Sequence, residues 1–276
     1  MIREFQTYLT SIKGLSQNTA TSYGKDLHTF VAFIQENKPN ARWSTITRDD
    51  LDEYIIYQSA RGLKPTTTNR HLSAISSLYD YMKRQGYEVE NPTRYESRRK
   101  EAETIINTIP LEDIKKAIAN AEGSIKVMLE TLLHTGIRLQ ELLDMTKSDL
   151  NDQDNTILIH GKGNKERTVH TSPENMAHLQ EYSRQSAAHT PIFRGWSQRE
   201  VRRSIYEVLR PVSSARQLSP HAIRHTYATL MAQAGTNATT LMKMMGHNSL
   251  KTTQKYIDLG QQMTAEAYMN YQNAIA

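Results

Sequence analysis

Six side chains in the second half of this sequence have types and settings that chemistry can use. In "LSPHAIRHTYATLM", Ser219 suits an N-cap and Pro220 the first helical position. His221 then falls in the first turn of a helix, and Arg224, three residues on, shares its face. A helix N-terminus flanked by an imidazole and a guanidinium is suited to anions, phosphate above all. His221 and His225 also have the i, i+4 spacing of zinc helices, but Ala222 stands where that motif needs a glutamate, and Arg224 would repel the cation. In "LLHTGIRLQELL" a helix ends near His134, Gly136 takes the left-handed position after it, and Arg138 emerges where a new helix begins. Glu141 can brace that arginine or cap the helix; on this segment alone a plain surface ion pair is the better reading. "HGKGNKER" sets Lys162 between Gly161 and Gly163 at a hairpin tip, where a solvated lysine is the simpler reading. It is no P-loop, since GxxxxGK[ST] is absent and a strand follows. In "TTLMKMMGHNSLKTTQKYIDL", Gly246 stops a helix and leaves His247 just past its end. Asn248 or Ser249 can cap the next helix, and Tyr256, one of fourteen tyrosines, lies about two turns in. That placement brings a hydroxyl back beside the histidine, although a half-buried groove tyrosine would have the same spacing.

These residues need a scaffold, and the pattern supplies a mainly α one. Residues 1–90 predict a bundle of about four helices. "LSQNTATSYGKDLHTFVAFIQENK" has Ser16 or Asn18 as cap and Tyr23, Leu27, Phe30, Val31 and Ile34 at helical spacing. "TRDDLDEYIIYQSARG" opens on Thr47 with acidic residues that complement the helix dipole and stops at Gly62. "KPTTTNRHLSAISSLYDYMKRQG" starts around Pro65 and repeats Leu72, Ile75, Leu78, Tyr79 and Met82 before Gly86. Residues 91–108 are polar and aperiodic after an Asn-Pro break, and predict a linker. Residues 109–276 predict a mostly helical second domain whose strands are confined to "TILIHGKGNKERTVHT", an antiparallel hairpin.

Composition bounds the rest. A chain of 276 residues, 38% hydrophobic, is long enough for two domains with real cores. The absence of cysteine excludes disulfides, thiolate zinc sites and cysteine nucleophiles. The N-terminus reads as neither signal peptide nor anchor, and no run approaches the roughly 20 apolar residues of a spanning helix. A cytoplasmic setting is expected. The net charge is +5, spread over the chain: residues 1–106 have 15 basic against 13 acidic side chains, the remainder 19 against 16. A modest, distributed excess of this kind fits a nucleic-acid partner without requiring one.

Taken in order, the four segments spell arginine, lysine, His-x-x-Arg, histidine, tyrosine. "HTGIRLQELL", "GKGNKER", "PHAIRHTYATLM" and "MGHNSLKTTQKY" resemble the catalytic boxes of the tyrosine recombinase (phage integrase-like) family, closest to its short two-domain Xer-type members. "LSQNTATSYGKDLHTFVAFI" and "TTTNRHLSAISSLYDYM" resemble that family's four-helix, SAM-like core-binding domain, so the resemblance runs over nearly the whole chain. Ala222, where an aspartate is frequent, and "IDL" after the tyrosine depart from the Xer pattern.

The resemblance implies a site-specific DNA recombinase that needs neither cofactor nor metal. Tyr256 becomes the nucleophile, with Arg138, Lys162, His221, Arg224 and His247 around the scissile phosphate, and Glu141 and His225 in support. Thr19, Thr68 and Arg70 of the bundle are expected at the DNA. A phenol has a pKa near 10 and must lose its proton as it attacks, with His221 the expected acceptor and Lys162 the acid for the departing 5′-hydroxyl. The family also implies a tetramer acting on two sites through a Holliday junction, of this chain alone or with a related partner. The tail "GQQMTAEAYMNYQNAIA", with Met263, Ala267 and Tyr271 on one side, is expected to dock on a neighbouring protomer. A type IB topoisomerase-like relaxase, a binding-only accessory factor, and a zinc hydrolase using His221, His225 and His247 are the alternatives.

Overall fold

The computed structural model describes residues 1–94, 106–161, 165–247, 249, 250, 252–260 and 269. Lys162, Asn248 and the tail residues Met263, Ala267 and Tyr271 lie outside the described residues. The chain divides into two compact units, Met1–Thr104 and Ile105–Ala276.

The first unit is a four-helix bundle: α1 (Ile2–Ser11), α2 (Gln17–Asn37), α3 (Arg48–Ala60) and α4 (Pro65–Arg84). Local chemistry sets each start. The Ser16 hydroxyl accepts from the Thr19 N–H at 3.2 Å, and Thr47 and Asp50 cap each other reciprocally across the first turn of α3. Pro65 opens α4, where a missing N–H costs nothing. The apolar stripes meet in one core in which Phe5, Leu27, Phe30, Leu51, Tyr54, Ile75, Leu78 and Tyr79 are fully buried. Each such side chain contributes on the order of 1.5–3 kcal/mol.

A polar chain crosses that core. Arg70 grips Asp26 with two hydrogen bonds of 2.8 Å, His71 Nε2 lies 3.1 Å from the same carboxylate, and the Tyr54 hydroxyl is 2.6 Å from His71 Nδ1. Because the carboxylate accepts from Nε2–H, Nδ1 must be the acceptor for the phenol. Thr19 is half-buried behind the α2 cap, and Arg70 remains half-exposed beside Asp26. Thr68, expected at the DNA, is instead fully buried, its hydroxyl turned back to the Lys64 carbonyl at 3.5 Å. A side chain without accessible surface touches no DNA, so that expectation is corrected.

The second unit is built around α6 (Gly123–Thr135), whose Met128, Leu129 and Leu132 are fully buried. Against it pack α5 (Leu111–Asn120), α7 (Leu139–Asp144), α8 (Pro173–Tyr182), α9 (Gln198–Leu209) and α10 (Pro220–Gln233); α11 (Ala238–Met245) packs on α10. On α9 the residues Val201, Ile205 and Leu209 recur every four positions and are all fully buried, so one face is committed to the core. The expected hairpin is present as β2 (Thr156–Gly161) and β3 (Lys165–His170), antiparallel from Thr156↔His170 to Gly161↔Lys165. A third strand, β1 (Leu150–Asn151), pairs on the outer edge of β2. Two residues are too few to leave a periodicity in the sequence. The chain is therefore mainly helical with one small antiparallel sheet. No helix among the described residues is long and apolar enough to cross a membrane.

Candidate active site

Two left-handed corners and one helix N-terminus deliver the site. Gly136, at φ +60°, closes α6 and turns the chain directly into α7, with Arg138 as the residue before its first turn. Glu141 reaches back to both the Arg138 N–H (2.8 Å) and its guanidinium (2.8 Å), so one carboxylate caps the helix and braces the arginine. Gly246, at φ +59°, closes α11 in the same way, and its carbonyl accepts from Arg138 Nη2 at 2.7 Å. The two corners are thus tied together by the side chain between them.

Arg224 sits one turn into α10, behind the cap formed by Ser219 on the Ala222 N–H. It is 3% exposed and donates to the Gly136 carbonyl at 2.6 Å and to the Met245 carbonyl. Its Nη2 also lies 3.2 Å from His247 Nε2. Burial lowers its pKa to about 10, with the charge of Arg138 adding to the effect, so it stays cationic at neutral pH. No carboxylate pairs with it among the described residues; two carbonyls and the His247 imidazole hold it.

Arg167 was not singled out from the sequence, and it completes the frame. Its guanidinium binds both oxygens of Glu141, at 2.9 and 2.7 Å, and Nε donates to the Met244 carbonyl at 3.0 Å. Burial would raise the pKa of Glu141, but hydrogen bonds from Arg167 and from the Arg138 backbone overcome it and hold the carboxyl at about 2. Strand alternation was the available signal: Arg167 lies on the same face of β3 as Val169, which is buried. A cation on the inward face of a strand implies an internal partner.

The helix at 252–260 brings Tyr256 to the group. The tyrosine is 4% exposed, in a small cluster with Tyr227, Ala228, Leu241 and Met245. Its hydroxyl lies 2.7 Å from His225 Nδ1. The His247 ring is nearly parallel to the phenol, at 17° and 6.2 Å, while its Nδ1 bonds the fully buried Thr253 hydroxyl at 3.0 Å. His221 stays exposed at the start of α10, its ring edge-on to His225 at 4.2 Å. Desolvation first, then Arg224 and Arg138, lowers the pKa of His221. The same kind of desolvation takes His225 and His247 to about 4, so both are neutral at physiological pH. Burial raises the pKa of Tyr256, against the opposing pull of Arg224.

Arg138, Arg224 and His221 line a cavity of about 370 Å³ together with Gln140, Gln198 and Arg202. The last three form a relay: Arg202 donates to Gln198 Oε1, and Gln198 Nε2 donates to Gln140 Oε1 at 2.5 Å. No local pattern marks this wall, because Gln140 and Gln198 lie 58 residues apart. The structure therefore gathers Arg138, Glu141, His221, Arg224, His225, His247 and Tyr256 from α7, α10, the α11 corner and the following helix. The cavity has the size and charge for a phosphate group and its neighbours.

Comparison with known proteins gives the family of the chain. Residues 98–263 match the phage integrase family, and residues 2–86 match its N-terminal SAM-like domain. Tyrosine recombinase XerC of Pelobacter propionicus is 30% identical over 97% of this chain and 93% of its own. Tyrosine recombinase XerD of Listeria innocua is 24% identical over 98% of both chains. Among solved structures, the XerH site-specific recombinase bound to a palindromic difH substrate, a post-cleavage complex, superposes with a TM-score of 0.75 at 19% identity, covering 98% of this chain and 95% of that one. The chain belongs to the phage integrase family, among its tyrosine recombinases.

Proposed function

We propose that this chain cleaves and rejoins duplex DNA through a 3′-phosphotyrosine on Tyr256, exchanging strands between two sites through a Holliday junction. One observation carries the reading: two guanidiniums, Arg138 and Arg224, converge on one cavity through corners tied to each other, with Tyr256 held on the neighbouring histidine. Attack by the phenolic oxygen forms an O–P bond, breaks the P–O5′ bond and builds negative charge on the non-bridging oxygens. Guanidiniums with bidentate geometry stabilise that charge, and preorganised donors of this kind are worth roughly 2.7–4 kcal/mol each. Lys162, which follows β2 in the sequence, gives its proton to the departing 5′-oxygen. The phosphotyrosine conserves the bond energy, so a second strand's 5′-hydroxyl reverses the step with no nucleotide or metal. The helical first unit binds duplex DNA, and the protein works in the cytoplasm as a tetramer coupled by its tail.

The test is a nicked duplex whose short 5′ fragment diffuses away after cleavage. The wild-type chain becomes covalently attached at Tyr256, and Tyr256→Phe binds the duplex without attachment. Wild-type protein that never forms an adduct on any duplex containing its own site refutes the reading. Removing the residues after Gly260 leaves single-site binding and abolishes assembly on two sites; unchanged assembly would refute the role of the tail.

A further inference from the structure

Tyr256 needs a proton acceptor, and three histidines surround it. Their hydrogen bonds separate them. His247 has both ring nitrogens occupied, Nδ1 by Thr253 and Nε2 by Arg224, and it meets the phenol ring to ring rather than by an edge. His221 makes no hydrogen bond to the phenol; it is exposed and lines the cavity with the two arginines. His225 lies one turn further into α10, half-buried, with Nδ1 at 2.7 Å from the Tyr256 hydroxyl. Among the described residues no other side chain reaches that hydroxyl.

We infer that His225 is a catalytic residue for the transesterification proposed above, taking the Tyr256 proton as the phenolic oxygen attacks phosphorus. In the cleavage step the Tyr256 oxygen bonds to phosphorus, the P–O5′ bond breaks, the phenolic proton moves to His225 Nδ1, and Lys162 protonates the 5′-oxygen. In rejoining, Lys162 takes the proton of the attacking 5′-hydroxyl and the imidazolium returns its proton to the tyrosine oxygen, so the cycle takes up no net proton.

The electrostatics fit the direction of transfer. Burial, then His221 and Arg224, keep the His225 imidazole neutral in the free protein, which leaves Nδ1 as an acceptor and the phenol as donor. The groups facing it are His221 and Arg224 on its own helix and Tyr256 and His247 from the elements packed against it. A phosphate seated between Arg138 and Arg224 offsets the cations that disfavour the imidazolium. As negative charge grows on that phosphate, the basicity of His225 grows with it.

The inference rests on Tyr256 being the nucleophile, and the experiment separates the two. Single-turnover cleavage of the nicked duplex is followed from pH 6 to 9 for wild type, His225→Ala, His225→Asn and His221→Ala. Asparagine offers an oxygen near the place of Nδ1 but takes no proton. The expected result is a wild-type rate nearly level across the range, with both His225 variants slowed by about 10²–10⁴-fold at unchanged DNA affinity. Their residual rates should rise about tenfold per pH unit, as ionisation of the phenol replaces transfer to the base. His221→Ala should keep the level profile. A wild-type rate in His225→Asn reduces His225 to an aiming contact and overturns the inference, as does a rising profile in His221→Ala with a level one in His225→Ala. If the alanine variant does not fold, the asparagine profile decides alone. Adduct formation by Tyr256→Phe would instead sink the nucleophile assignment, whatever the His225 variants do.

Discussion

The same pair, a tyrosine hydroxyl against Nδ1 of a helical histidine, occurs once in each unit, at 2.6 Å for Tyr54–His71 and 2.7 Å for Tyr256–His225. What stands behind the histidine differs. His71 has Asp26 at its other nitrogen, and Asp26 is gripped by Arg70, so every charge in that chain is answered inside the fold. His225 has His221 and Arg224 beside it, and its neighbourhood holds three guanidiniums, Arg138, Arg167 and Arg224, around one carboxylate, Glu141. The first arrangement is complete without a ligand. The second lacks an anion, and the site is open to solution where a phosphate would supply it. A buried cation held only by neutral groups is costly to keep unless something binds to it.

If the comparison is right, removing the two hydroxyls has unequal consequences. Tyr256→Phe eliminates covalent attachment to DNA altogether. Tyr54→Phe leaves the rate of attachment unchanged and lowers stability by about 1–3 kcal/mol, because it strands His71 Nδ1 in a fully buried place. Adduct formation on a denaturing gel and thermal unfolding read the two effects separately. Slowed attachment in Tyr54→Phe would show that the closed network also serves the reaction.

The backbone draws the same contrast. Gly62, after α3, has φ +78° and open space where a Cβ would go. Gly136 has φ +60°, and a Cβ there would lie 2.1 Å from the Tyr227 ring. Gly62→Ala should cost only the left-handed penalty of roughly 1–2 kcal/mol. Gly136→Ala adds overpacking of about 1–3 kcal/mol and shifts the carbonyl that holds Arg224. Chemical denaturation should therefore find Gly136→Ala the weaker fold, with attachment to DNA slowed beyond what its folded fraction explains. Equal stability of the two variants would mean that Tyr227 moves aside without resistance.

These contrasts also mark what the sequence discloses. Local signals predict local structure: Ser16, Thr47, Pro65 and Ser219 cap or open the helices expected of them, and Gly136 and Gly246 both take left-handed corners. The hairpin is legible because two β-rich runs of six residues each flank a Gly-Lys-Gly-Asn stretch. The ion pairs across the site are not. Arg167 and Glu141 are 26 residues apart, and nothing local chooses between Arg138 and Arg167 as the partner of that carboxylate. Thr68 is expected at the DNA, whereas the packing of four apolar stripes decides which turn of α4 faces inward. The choice between His221 and His225 as partner of Tyr256 is likewise tertiary. Residues i and i+4 share one helix face, and only the position of the helix at 252–260 selects between them.

The finest version of the contrast lies on a single helix. On α9, Arg203 has Glu207 one turn away at 3.6 Å, while Arg202 points into the cavity wall and is held by the neutral amide of Gln198. Both are exposed, so neither contributes much to stability. An arginine already paired has less to gain from a phosphate than one aimed by an amide. Arg202→Ala should therefore weaken duplex binding several-fold and reduce by about one the slope of log affinity against log salt. Arg203→Ala should leave that slope nearly unchanged. Titrations of a fluorescent duplex at several salt concentrations measure both slopes. Equal slopes in the two variants would mean that the Gln140–Gln198–Arg202 relay aims at no phosphate, and that the anion-binding surface ends at Arg138, His221 and Arg224.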